Sequence, residues 1–255
     1  MKRILSTFIL MLLLNNQSIA DEIRFVGETY CPYLCEKDQE GFMLEIARVV
    51  FENNGHMITY QALPWSRALL TIHKNKQADA LLSVVKESEP NLIYPTEELG
   101  HIKGCYFTSE NSDWKYTGLK SLEDITLGLI DNYGYGADPV LAKHIEKFKN
   151  DKNRIIFLAG TSTSITQILH MIERGRVSGT TDDQYVVNYT IKKNNITGIR
   201  LAGCSGANIP LYIGFSPFNP KAKEYAEILS AGIQTLRKSG ELEIILNKYG
   251  VSDWK

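Results

Sequence analysis

The chain has 255 residues, with 28 basic side chains against 29 acidic ones, a formal charge of −1 at neutral pH, and 44% hydrophobic residues. Acids and bases are interspersed, which argues against a basic nucleic-acid footprint or a polybasic membrane-binding surface. A chain of this size can bury a substantial core, in one large domain or two small ones.

Lys2 and Arg3 form a positive start, ILSTFILMLLL is an apolar run, and Ser18-Ile19-Ala20 is a small-x-small site before Asp21. The run is too short to span a bilayer comfortably, so residues 1–20 read as a secretory signal cleaved after Ala20. That segment has no cysteine to carry a lipid, and no later segment approaches a transmembrane length. The mature protein is expected in the periplasm, with roughly 235 residues and a formal charge near −3.

Four cysteines in an exported chain suggest two disulfides. Cys31 and Cys35 are close enough to staple a local loop, which leaves Cys105 and Cys204 as the other natural pair. Free buried thiols are the alternative. A CxxxC pair without further Cys or His partners is weak evidence for zinc.

Strands and helices then alternate with short connections. EIRFVGE (22–28) reads as a strand, GFMLEIARVVFENNG (41–55) as a helix closed by Gly55, and MITYQAL (57–63) as a second strand. PWSRALLTIHKN begins as a helix with Pro64 at its first position, where a missing N–H costs nothing. Trp65 and Arg67 at that helix start could supply a flat apolar surface and a bidentate cation. The strand ADALLSVV (78–85) follows.

The middle block repeats the plan. ITLGLID is a strand, ADPVLAKHIEKF a helix, RIIFLAG a strand and TSTSITQILHMIERG a helix, the last with Ile165, Ile168, Leu169 and Ile172 at helical spacing and Thr161 to Thr163 as capping candidates. VSGTTDD and a helix around QYVVNYTIKKN come next. PLYIGFSP is a final strand before a long helix whose buried face is Ala222, Tyr225, Ile228, Leu229, Ile233 and Leu236. This rhythm predicts mainly parallel sheets with helices on both faces. The plan occurs twice, so two similar α/β lobes fit the length better than one large sheet. Ser83 and Asp183 sit at carboxyl ends of strands, where open α/β sheets bind ligands.

No catalytic grouping stands out. His56, His73, His101, His144 and His170 show no HxH or HExxH spacing, and there is no GxSxG elbow or P-loop. The adjacent Asp182 and Asp183 could support acid/base chemistry, but neighbours on a strand point to opposite faces. The expectation is therefore a non-enzyme without metal or cofactor, with a periplasmic enzyme as the weaker alternative.

TYCPY (29–33) with GFMLEIA (41–47), ADALLSVV, GHIKGCYFTSEN, YTGLKSLEDITLGLIDNYGYG, VSGTTDD, PLYIGFSP and the closing LRKSGELEIILNKYG occur in an order and spacing that matter more than any single piece. In these the chain resembles the family 3 extracellular solute-binding proteins over essentially its whole mature length. The resemblance implies the two-lobe type II periplasmic-binding-protein fold, with two hinge crossings and a ligand cleft between the lobes. One lobe would be residues 21–103 plus 210–255 and the other 104–209. It implies a monomer that captures a small polar solute, an amino acid or related zwitterion, for an ABC permease. An orphan binder or a membrane sensor is the alternative role.

The resemblance also implies site residues. Tyr30 matches the aromatic placed against the ligand, and Ser83 and Val84 match the segment that meets the ligand carboxylate. Tyr135, flanked by glycines at a strand-to-helix turn, matches the loop that offers N–H groups to an anion. Asp183 matches the acid that receives the ligand ammonium, with Asp182 as its competitor because a one-residue shift exchanges the faces. The family's carboxylate-clamping arginine is absent from KESEPNLIYP. Arg67 is the candidate replacement, with Trp65 stacking on the ligand. The alternatives are a Trp65 packed into its lobe and an Arg67 paired with a surface carboxylate. The resemblance also implies that Cys105 and Cys204 meet near the hinge.

Overall fold

The computed structural model describes residues 21–35, 39–75, 77–131, 133–135 and 138–255. The expected signal segment, residues 1–20, lies outside the described residues, as does Gly136 beside Tyr135.

Among the described residues eight strands form one mixed sheet in the order β2-β1-β3-β8-β4-β7-β5-β6. They are β1 (Glu22–Gly27), β2 (Met57–Ala62), β3 (Ala80–Val85), β4 (Gly100–Ser109), β5 (Leu127–Ile130), β6 (Ile155–Leu158), β7 (Gly179–Asp183) and β8 (Ile199–Phe215). Within the two outer sets the neighbours are parallel: β1 with β2 and β3, and β5 with β6 and β7. The centre differs from the expected parallel pattern. There β8 runs antiparallel to both β3 and β4, and β4 antiparallel to β7. The reason is that β4 and β8 are long strands connecting the two sets, not members of a strand-helix-strand unit.

The helices are α1 (Phe42–Asn53), α2 (Trp65–Leu70), α3 (Leu119–Leu122), α4 (Pro139–Phe148), α5 (Ser164–Glu173), α6 (Gln184–Asn194), α7 (Ala222–Ser239) and α8 (Glu241–Lys248), of which α1, α2 and α4 to α7 follow the expected positions. One boundary moves. Pro64 caps α2 from outside with ψ 141°, its carbonyl accepting from the Arg67 and Ala68 N–H groups, and α2 continues into a π-helical turn at Thr71–Asn75. In α5, Thr163 precedes the helix without capping it through its side chain, and the Ser164 hydroxyl oxygen accepts from the Thr161 N–H instead.

The apolar stripe of α1 (Phe42, Met43, Ile46, Val50 and Phe51) is buried at helical spacing. It meets Leu229, Ile233 and Leu236 of α7 in one core. Phe25, Phe51, Phe215 and Tyr225 pack edge-on or tilted with centroids 5.8 to 6.4 Å apart. Each fully buried side chain of this size contributes about 2 kcal/mol of transfer free energy. The C-terminal helices are thereby fixed to the first strand set. No described helix is long and apolar enough to cross a membrane.

One loop links this core to the cavity. The first N–H groups of α1 have no intrahelical partner, and those of Phe42 and Met43 donate to the Pro32 and Tyr33 carbonyls. Gly41 makes this approach possible. Its φ is +89°, and a Cβ there would lie 2.4 Å from the Tyr33 carbonyl oxygen. The loop is also bridged by Cys31–Cys35, so Tyr30 stands on a fixed base.

Candidate ligand-binding site

A cavity of about 320 Å³ opens at the carboxyl ends of β1, β3, β5 and β7. Glu28 and Tyr30 follow β1, Trp65 and Leu69 come from α2, and Ser83 lies on β3. Tyr133 and Tyr135 follow β5, and Thr181, Asp182 and Asp183 end β7. Ile102 and Ile209 from the two long central strands close the wall. This volume suits a small organic solute.

Among the described residues five carboxylates line the cavity, and their hydrogen bonds separate them by role. Asp138 caps α4, its Oδ1 accepting from the Val140 and Leu141 N–H groups. Asp183 caps α6 through the Tyr185 and Val186 N–H groups, and its Oδ2 accepts the Lys103 N–H at 2.9 Å. Glu89 Oε2 meets His73 Nε2 at 2.6 Å. Glu28 and Asp182 remain. Tyr30 donates to Asp182 Oδ1 at 2.6 Å, and Tyr133 donates to Glu28 Oε2 at 3.2 Å. The other oxygen of each acid, Asp182 Oδ2 and Glu28 Oε1, is buried without a hydrogen-bond partner among the described residues. Both tyrosine bonds join a residue near the first strand set to one near the second.

Burial pushes both acids toward the neutral form. Asp182 rises to about 7 through desolvation, offset in part by the Tyr30 hydroxyl and the Asp183 N–H. Glu28 is raised for the same first reason, offset by the Tyr133 hydroxyl and more weakly by the Trp65 backbone amide. Asp183 rises to about 6, again through burial, against the backbone N–H groups it accepts.

A pH signature follows from Asp182. Its carboxyl titrates higher in the folded protein than in the unfolded chain, so the folded state holds the extra proton. The associated stability is present below about pH 4 and is lost as pH rises through about 7. Asp182→Asn keeps the acceptor for Tyr30 and removes the buried charge. Its melting temperature should match the parent near pH 4 and exceed it by at least about 5 °C at pH 8. A gap independent of pH would count against this reading.

The predicted site residues fall into two groups. Tyr30, Trp65, Ser83, Tyr135 and Asp183 all line the cavity. Trp65 also packs against the cluster around Ala68 and Ile72, so its ring belongs to core and wall together. Ser83 sits at an interruption in the β3–β8 register with φ +59°, an uncommon backbone for a non-glycine residue. The bulge brings Ser83 to the cavity.

Four placements differ from expectation. Arg67 is exposed and outside the cavity wall, because Ala68 is the residue that α2 turns into the core. Val84 is fully buried in that core, opposite in direction to Ser83. Asp183 reaches the cavity, but its carboxylate is committed to α6 and β4, and the unpartnered oxygen belongs to Asp182. The Tyr135 N–H, expected to face an anion, donates to the Tyr133 carbonyl, while the Tyr135 hydroxyl accepts from the Ile130 N–H. Glu28 and Tyr133 were not anticipated. The position of Glu28, one residue beyond a parallel strand, is the same signal that marked Ser83 and Asp183.

The cysteines pair as Cys31–Cys35 and Cys105–Cys204, and the second pair joins residues directly opposite each other on β4 and β8.

No family model matches the chain, and no curated protein matches it. Solved structures do. A histidine kinase sensor domain with similarity to periplasmic binding proteins superposes with a TM-score of 0.74 at 18% identity, covering 90% of this chain and 96% of that one. A structure from work on glutathione import in Streptococcus mutans, via GshT and the cystine ABC importer TcyBC, gives 0.73 at 16% identity over 91% and 95%. An ancestral arginine-binding protein bound to arginine gives 0.71 at 14% identity over 90% and 98%. The chain has the two-lobe type II periplasmic-binding-protein fold.

Proposed function

We propose that this protein is a solute-binding protein that captures a small polar solute bearing an ammonium group and presents it to an ABC importer. One observation carries the reading. The cavity lies where residues 21–103 plus 210–255 meet residues 104–209, and Tyr30–Asp182 and Glu28–Tyr133 join the two sides across it. Those ranges are the proposed lobes, and closure between them would enclose the solute. The neighbours that bind arginine, or belong to work on glutathione and cystine import, support capture of a small solute. The expected exported, periplasmic location fits this role.

The ammonium half of the expected zwitterion has a place at Asp182 and Glu28. The expected carboxylate clamp, Arg67, does not line the cavity. A sensor role is the second reading, favoured by the likeness to a histidine kinase sensor domain.

Thermal-shift screening of the mature protein against amino acids, amines, organic acids and sugars tests solute binding. A solute at 100 times its dissociation constant should stabilise the fold by about 2.7 kcal/mol. That corresponds to roughly 5–10 °C for a chain of this size. No shift with any class, or turnover of the compound, would overturn the reading. Uptake of the hit by cells lacking the protein separates the roles. Lost uptake indicates transport, and intact uptake with a lost response indicates sensing.

A further inference from the structure

We propose that the cleft selects an organic cation without a carboxylate, a primary amine or diamine, over the corresponding amino acid. The proposal rests on the solute-binding reading above and narrows its ligand class.

Two independent observations carry it. The first is the pair of orphaned oxygens. Glu28 and Asp182 are more than nine-tenths buried, at 9% and 8% exposure, both line one cavity, and each keeps a buried oxygen without a hydrogen-bond partner among the described residues. Buried carboxylate oxygens without donors are costly, and native structures keep few of them. A primary ammonium supplies three N–H donors and the opposite charge. Trp65 and Tyr133 line the same cavity, and aromatic rings attract cations.

The second observation is the lining chemistry. Among the described residues the cavity is walled by acids, aromatics, aliphatic side chains, two glycines and the hydroxyl residues Ser83, Ser88 and Thr181, with no Lys, Arg or His. The Tyr30 and Tyr133 hydroxyl protons are already directed at the two acids. A ligand carboxylate would therefore find no cation to receive it, and would meet like charge wherever these acids are ionised. Interfaces use such like-charge placement to reject wrong partners. A metal ion is a poorer occupant, because no group of three or more His, Cys, Asp or Glu among the described residues is arranged to hold one.

Calorimetry on the mature protein with matched pairs tests the proposal: cadaverine against lysine, and agmatine against arginine, with calcium and magnesium chloride as metal probes. Each decarboxylated compound should bind on the order of 100-fold tighter than its parent amino acid, since like-charge rejection is worth several kcal/mol. Glu28→Gln and Asp182→Asn should each weaken the amine by about 10-fold or more, with melting curves showing both variants folded. Equal or tighter binding of the amino acids, displacement of the amine by a metal, or indifference to both substitutions would overturn the proposal. If amino acids or sugars bind and amines do not, this proposal fails while solute binding stands. If nothing in the broader screen binds, both fail.

Discussion

Asp183→Ala should destabilise the protein by about 3 kcal/mol or more in the absence of any ligand. Asp183 is fully buried, and its carboxylate accepts from three backbone N–H groups, those of Tyr185, Val186 and Lys103. Removing a helix cap costs about 1 kcal/mol, and stranding further buried donors costs about 1–3 kcal/mol. The substitution frees the first turn of α6 and one rung beside β4 together. Removing a buried charge returns part of that loss, and the return is largest at high pH, where burial opposes ionisation. Chemical denaturation at pH 5 measures the loss with least interference. Asp182→Asn is the neighbouring control, expected to leave the fold intact. Unchanged stability in Asp183→Ala, with binding lost, would show that the side chain serves the ligand instead.

The two disulfides should differ in what their loss does. Cys105 and Cys204 are 99 residues apart in sequence, and Cys31 and Cys35 are four apart. Restricting the unfolded chain over a loop of about 100 residues is worth about 4–5 kcal/mol, and over about five residues about 2 kcal/mol. The Cys105→Ala, Cys204→Ala pair should therefore melt far below the parent. The Cys31→Ala, Cys35→Ala pair should lose less stability but more affinity, because that bridge fixes the loop carrying Tyr30. Denaturation under oxidising conditions, alongside calorimetry with the best-binding solute, reads both effects. Equal stability losses, or affinity unchanged without Cys31–Cys35, would contradict this assignment.

Much of the architecture was legible because its signals are local and repeated. The alternation of β-branched runs with helical spacing located β1, α1, β2, β3 and the whole middle block within a few residues. Of the expected face of α7, Ala222, Tyr225, Leu229, Ile233 and Leu236 are buried and Ile228 is half-buried at its edge. The antiparallel centre was less visible. The length of β8 depends on pairing with β3 and β4, and pairing partners far apart in sequence leave no periodic trace.

The site was half legible for similar reasons. Strand ends marked where the cavity lies, and aromatic and acidic residues there marked its character. Which of two adjacent acids keeps an unpartnered oxygen depends on where α6 begins. The helix takes Asp183 as its cap, and that leaves Asp182. Arg67 looked suited to a clamp by chemistry, but its direction follows from the burial of Ala68, which only three-dimensional packing determines. Glu28 was missed although its place beyond β1 carried the signal.

The paired central strands also set what kind of movement the fold permits. Every relative displacement of the two outer strand sets passes through β4 and β8, which are hydrogen-bonded from Gly100 opposite Leu211 to Ser109 opposite Ile199. The covalent rung at Cys105–Cys204 locks that ladder, so one strand cannot slide along the other. Shear is removed, and bending or twisting about an axis across the ladder remains. The register shifts between Lys103 and Cys105 and between Tyr106 and Phe107 place compliant points on both sides of the rung. Such a linkage behaves like the spine of a book. Opening about such a spine would separate Tyr30 from Asp182 and Tyr133 from Glu28, the hydrogen-bonded pairs that join the two sides of the cavity.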